Sequence, residues 1–95
     1  MIISGCLILK LYLPECHSLK QKRSILKSIL LKTRNQYNVA SAELDFQDVW
    51  QSALLGFSTI GSDAVIIRNA LHAVEAYIES NWPDVQILDT QIDLL

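Results

Sequence analysis

The first dozen residues restrict the fold more than any other stretch of the chain. From Ile2 to Leu13 the side chains alternate, with Leu7, Leu9, Leu11 and Leu13 on one side and Ser4, Cys6, Ile8, Lys10 and Tyr12 on the other. A period of two over this length describes a long strand, and four leucines on one side need a layer to cover them. Pro14, which has no N–H to offer a ladder, ends the run. Ile3-Ser4-Gly5-Cys6 resembles a lipoprotein cleavage box, but no basic segment and no 7–15-residue apolar stretch precede it, so the segment is expected to be a strand.

After the loop Pro14-Glu15-Cys16-His17 the period changes. Ser18 followed by Gln21 has the spacing of a capping box and predicts a helix over about 19–35. At 100° per residue, Leu19, Leu26, Ile29, Leu30, Thr33 and Tyr37 share one side of it. Segments 38–45 and 50–60 are β-rich, and the polar turn around Phe46-Gln47-Asp48 makes them a hairpin. Gly61-Ser62-Asp63 closes the second of these and caps another helix, about 63–80, with Ile67, Leu71, Val74 and Ile78 in register. Asn81-Trp82-Pro83-Asp84 stops it, and a last strand runs over about 85–94. The order βαββαβ predicts an α+β, ferredoxin-like sandwich: a four-stranded antiparallel sheet with both helices on one face. Right-handed crossovers place strands 1 and 3 in the centre and strands 2 and 4 at the edges.

At 95 residues the chain has room for one domain, 1–95, and for one modest core, so a deep cleft between lobes is excluded. The apolar fraction is 51% and the charged fraction 19%, a surplus of apolar side chains that a two-layer fold must hide somewhere. Lys10, Glu15 and Lys20 interrupt the best candidate for a membrane span. The two cysteines, Cys6 and Cys16, have no metal-site or redox-pair spacing, so the expected setting is the cytoplasm, with no metal and no cofactor.

The net charge of −2 hides a strong asymmetry. Lys20, Lys22, Arg23, Lys27, Lys32 and Arg34 all fall in the first predicted helix, and no acid occurs from 16 to 42. The remainder sets Lys10 and Arg68 against all ten acids. On a helical wheel Lys20, Arg23, Lys27 and Arg34 lie within about 60° of one another. Cations in the first turn oppose the helix macrodipole, and natural helices favour acids there, so this helix start is a candidate anion site with His17, Ser18, Lys20, Lys22 and Arg23 around it. Lys22 is anomalous in a second way, since it falls in the middle of the apolar side. Either it pairs with an acid of the hairpin, Glu43, Asp45 or Asp48, or its stem snorkels past Leu19 to water.

His17 with Glu43, Asp45 and Asp48 would be the raw material for an enzyme, but Asp-x-x-Asp is common turn chemistry. No nucleophile stands beside a base, and no phosphate-loop or hydrolase motif is present. The uncovered side of the sheet is expected to show Ile8, Tyr12, Trp50, Leu54 and Ile60. That set lacks the aromatic run by which RRM sheets stack bases, and its aliphatic character points to a protein contact, a homodimer built sheet to sheet.

The stretch His17-Ser18-Leu19-Lys20-Gln21-Lys22-Arg23, together with Ala42-Glu43-Leu44-Asp45, Asp48-Val49-Trp50-Gln51 and Gly56, resembles the YlxP-like family of small bacterial proteins of unknown function. The resemblance implies the ferredoxin-like fold, a cytoplasmic protein and no established activity, and its members look like neighbours of translation and ribosome-maturation genes, which points to an RNA or ribosome role by association alone. Two functions are therefore expected ahead of an enzyme: RNA or ribosome binding through the basic helix, and self-association through the open sheet face.

Overall fold

A computed structural model describes all residues, Met1–Leu95. The elements are β1 (Ile3–Tyr12), α1 (Leu19–Gln36), β2 (Ala40–Asp45), β3 (Ser52–Gly61), α2 (Ala64–Asn81) and β4 (Gln86–Leu94). They follow the predicted order, and the sheet runs β2-β3-β1-β4 with every neighbouring pair antiparallel. Strands 1 and 3 are therefore central, as the crossover rule requires. The predicted boundaries hold to within a residue or so except at the starts of β2 and β3, which lie at Ala40 and Ser52 rather than at 38 and 50. Trp50 consequently lies in the hairpin loop and has no place in the alternation of β3.

The alternation that opened the sequence sets the core. Leu7, Leu9 and Leu11 are fully buried, and they stand opposite Phe57, Leu55 and Ala53 of β3 on the helix-facing side. Ile67, Leu71, Val74 and Ile78 of α2 cover β1, with Leu26 and Ile29 of α1 beside them. Gly5 belongs to this same inner side, where a Cβ would come within 2.5 Å of Ile67, so the lack of a side chain lets α2 approach the sheet.

The even-numbered residues of β1 face away from both helices. Ile8 is opposite Gly56 and Gln91, and Lys10 is opposite Leu54 and Asp89. Two register shifts shape this open side. One lies between Glu43 and Asp45, where Leu44 is the extra residue and folds over Gly56, whose Cβ would meet Leu44 at 2.7 Å. The other lies between Lys10 and Leu11, opposite β4.

Candidate nucleic-acid interface

The start of α1 is built by side chains that bind backbone. Ser18 adopts extended φ and ψ, and its Oγ accepts from the Gln21 N–H at 3.1 Å, as the capping-box spacing predicts. The reciprocal half differs from expectation. Gln21 Oε1 accepts from the N–H of His17, one residue before the cap, and Gln21 Nε2 donates to Glu15 O. Gln21 thus braces the whole 15–18 loop. From the other side Gln51 Nε2 donates to Pro14 O and Cys16 O, each at 3.2 Å, while Leu13 N–H donates to Gln51 O. The role of Gln51 has no sequence signal, because its partners lie 35 and 37 residues away.

Lys22 occupies the joint between helix and hairpin. It is 1% exposed, its Nζ lies 3.0 Å from Glu43 Oε2, and it donates to the carbonyl of Phe46. Of the two possibilities open from sequence, the ion pair is the one formed. At 1% exposure the side chain does not reach water. Glu43 Oε2 receives no well-directed hydrogen bond although it is buried, so its contact with Nζ is mainly Coulombic. Phe46 takes a left-handed φ of 64°, which is uncommon for an aromatic residue. That conformation is held by Asp45 Oδ1 accepting the Phe46 N–H at 2.7 Å, by Val49 N–H and Lys22 on its carbonyl, and by Lys10 over its ring at 5.4 Å.

This geometry corrects two expectations. Lys22 is no anion-binding residue, because its charge is buried and committed to Glu43. The acidic hairpin is no carboxylate cluster: Glu43 turns inward to Lys22, Asp45 caps its neighbour, and Asp48 is exposed at the tip. His17 is exposed and takes part only through its backbone. Cys16, also at this joint, is fully buried, and burial pushes its thiol up while the nearby Lys22 ammonium pulls it down less.

On the outer side of α1, Lys20, Arg23, Lys27 and Arg34 are all exposed, and none has an acidic partner. Arg34 reaches only Ser41 Oγ, at 3.5 Å. The stripe from Lys20 to Arg34 is about 21 Å long at 1.5 Å per residue. On the open sheet side Ile60 is 70% exposed, whereas Ile8, Tyr12 and Leu54 are half-buried; Trp50, 49% exposed, lies in the hairpin loop and not on that face as expected. A shallow depression of about 210 Å³ lies on the open sheet side, lined by Cys6, Ala42, Leu44 and Gly56 among others.

Residues 4–92 match the family described as "Protein of unknown function (DUF503)". The chain belongs to this family. It is also 38% identical over 72 residues to the uncharacterized protein YlxP of Bacillus subtilis (strain 168), covering 76% of this chain and 77% of that protein. The residues that carry the family resemblance therefore have a structural account here. Ser18 and Gln21 cap α1, Lys22 and Glu43 join it to the hairpin, Gln51 ties down the loop, and Gly56 admits Leu44. Lys20, Arg23 and Trp50 are left without any such intramolecular task. No helix is long and apolar enough to cross a membrane.

Proposed function

We propose that this protein is a cytoplasmic, non-enzymatic binding protein that engages RNA, in the setting of the ribosome or its maturation, through the outer side of α1. The observation that carries the reading is the distribution of cations. Of eight basic side chains, Lys22 is consumed in an ion pair, Lys10 and Lys32 lie over the rings of Phe46 and Trp82, and Arg68 stands on α2. The other four line one side of α1 with no counter-acid, where a polyanion supplies the missing charge. The backbone N–H groups at the helix start, next to His17 and Ser18, add a favourable dipole for one phosphate. If about four phosphates of a single strand are neutralised, log affinity falls with log salt at a slope near −3, which is roughly fifty-fold weaker binding at 200 mM than at 50 mM salt. Fluorescence anisotropy with labelled RNA measures this. Binding that ignores salt, or no binding at 50 mM, overturns the reading.

A second reading uses the opposite side of the sheet and is compatible with the first. Exposed Leu44, which lines the depression, and exposed Ile60, with half-buried Ile8, Tyr12 and Leu54 on the same face, favour a homodimer through the open side. Sedimentation at micromolar concentration is expected to give a dimer that Leu54→Glu dissociates. A strict monomer removes this reading.

A further inference from the structure

We infer that Trp50 is a stacking platform for an unpaired RNA base, placed beside the cationic stripe of α1. The inference rests on the RNA reading above and deepens it, from a polyanion contact to recognition of single-stranded or looped RNA.

Three observations carry it. First, the Trp50 side chain is 49% exposed next to Val49, which is 45% exposed, and the two help to line a surface cavity of about 340 Å³ with Asp48 and Gln51. Second, the hairpin tip that presents the ring is held in place. Leu13 N–H on Gln51 O, Gln51 Nε2 on Pro14 O and Cys16 O, and Lys22 Nζ on Phe46 O pin both ends of the 46–51 loop. An aromatic ring on a fixed support loses little freedom when a base settles on it, which is the condition for efficient stacking.

Third, the tip sits at the entrance to the stripe. Trp50 and His17 each stand one residue from the Gln51–Cys16 hydrogen bond, and α1 begins two residues after His17. Lys22 Nζ on Phe46 O holds the first turns of α1 against the same loop, so the loop that carries Trp50 adjoins the helix start that bears Lys20 and Arg23.

The charges divide the work. The 46–51 loop contains no cation, and Asp48 on it, with Asp45 and Glu15 nearby, disfavours a phosphate at the tip. Lys20, Arg23 and Lys27 offer the backbone contacts that the tip lacks. A strand whose phosphates follow α1 therefore presents a base, not its backbone, to Trp50. Base-paired RNA keeps that base stacked within the duplex and away from the ring.

The test uses a labelled 12-nucleotide single-stranded RNA of mixed sequence and the blunt duplex formed from it. The proteins are wild type, Trp50→Ala, Trp50→Phe and Lys20→Glu/Arg23→Glu, each also sedimented. Wild type is expected to bind the single strand more tightly than the duplex. Trp50→Ala should weaken single-strand binding about tenfold with an unchanged salt slope, because stacking releases no counterions, and Trp50→Phe should stay within about threefold of wild type. Lys20→Glu/Arg23→Glu should lose affinity and flatten the slope. Should Trp50→Ala fail to fold, the Trp82→Phe protein decides, since the remaining emission comes from Trp50 and must be quenched by the single strand. Wild-type affinity in Trp50→Ala overturns the stacking role and leaves the helix reading standing. Stronger binding of the duplex, or an unquenched Trp50, has the same consequence. A changed sedimentation of Trp50→Ala with unchanged RNA affinity assigns the ring to a subunit contact instead. No RNA binding by any protein, wild type included, removes both readings.

Discussion

Helices α1 and α2 each run 18 residues against the same side of the sheet, yet they bury different kinds of side chain. From α2 come Ile67, Leu71, Val74 and Ile78, an apolar series seated on β1, β3 and β4. From α1 come Leu26 and Ile29, but also Lys22 and Thr33, whose Oγ1 folds back on the carbonyls of Ile29 and Leu30. An apolar helix is placed by area, which is non-directional and tolerant of small shifts. A helix fixed by a buried ammonium is placed by direction, so α1 is tied specifically to the hairpin through Glu43 and Phe46. Its outer side is then free to carry charge that contributes nothing to folding.

Removing one key residue from each helix separates the two modes of attachment. Leu71→Ala should destabilise by about 3 kcal/mol through the cavity it leaves. Lys22→Met should cost a similar amount, about 3 kcal/mol, because Glu43 and the Phe46 carbonyl lose their partner. This is the lower end for a buried pair, since the Glu43 side chain is still 23% exposed. The contrast lies in rescue: Lys22→Met/Glu43→Leu should recover about 1–2 kcal/mol, as a fully apolar pair no longer strands a charge. Urea unfolding of the set measures this, and additive losses in the double variant would show that Lys22 and Glu43 do not interact.

The two cysteines test the joint itself. Cys6 lies half-exposed on the open sheet side, and Cys16 is fully buried behind the loop that Gln21 and Gln51 brace. Native protein at pH 8 should be alkylated at Cys6 at least roughly tenfold faster than at Cys16, read by mass spectrometry. Gln51→Ala should narrow that ratio. The raised Cys16 thiol also sets a sign for pH. Both folded and unfolded chains hold the proton at neutral pH, and the unfolded chain releases it first as pH rises. The contribution of Cys16 to stability is therefore complete at neutral pH and declines above the ordinary thiol range. Cys16→Ala should flatten that alkaline decline.

The caps give a smaller contrast. Asp63 Oδ1 accepts from the N–H groups of Val65 and Ile66 and carries charge of the sign the helix start favours, whereas Ser18 is neutral and accepts from one. Asp63→Ala should cost about 1.5 kcal/mol and Ser18→Ala about 1 kcal/mol in thermal or urea unfolding. Equal losses would mean that the dipole adds nothing to the cap of α2.

Element order, strand order and both caps were readable because each rests on a local rule: period two, period 3.6, the spacing of Ser18 and Gln21, and crossover handedness. The tilt of Lys22 into the apolar side was equally readable as an anomaly. Its resolution was not, because both partners, Glu43 and the Phe46 carbonyl, lie far along the chain and meet Lys22 only when the hairpin packs against α1. Trp50 was misplaced for a related reason. Alternation continues in sequence through residue 50, but the strand begins only at Ser52, after a loop that contains the left-handed Phe46. Lys20, Arg23, Lys27 and Arg34 lay where the wheel placed them, since an exposed stripe needs only the helix itself.

The smallest expected effect has the opposite sign from the others. Lys20 stands in the first turn of α1, where the macrodipole disfavours a cation, and no acid on the chain relieves it. Lys20→Glu should therefore stabilise the protein by about 0.3–1 kcal/mol at low salt, a gain that shrinks as salt screens it. The corresponding change on α2, Ala64→Lys at the first helical position, should reverse that sign. If the basic stripe is kept for RNA, the same Lys20→Glu chain must bind RNA less well while melting higher. A protein that melts lower and binds equally well would place the charge of Lys20 in the folding of α1, and would return the helix to the role that α2 already fills.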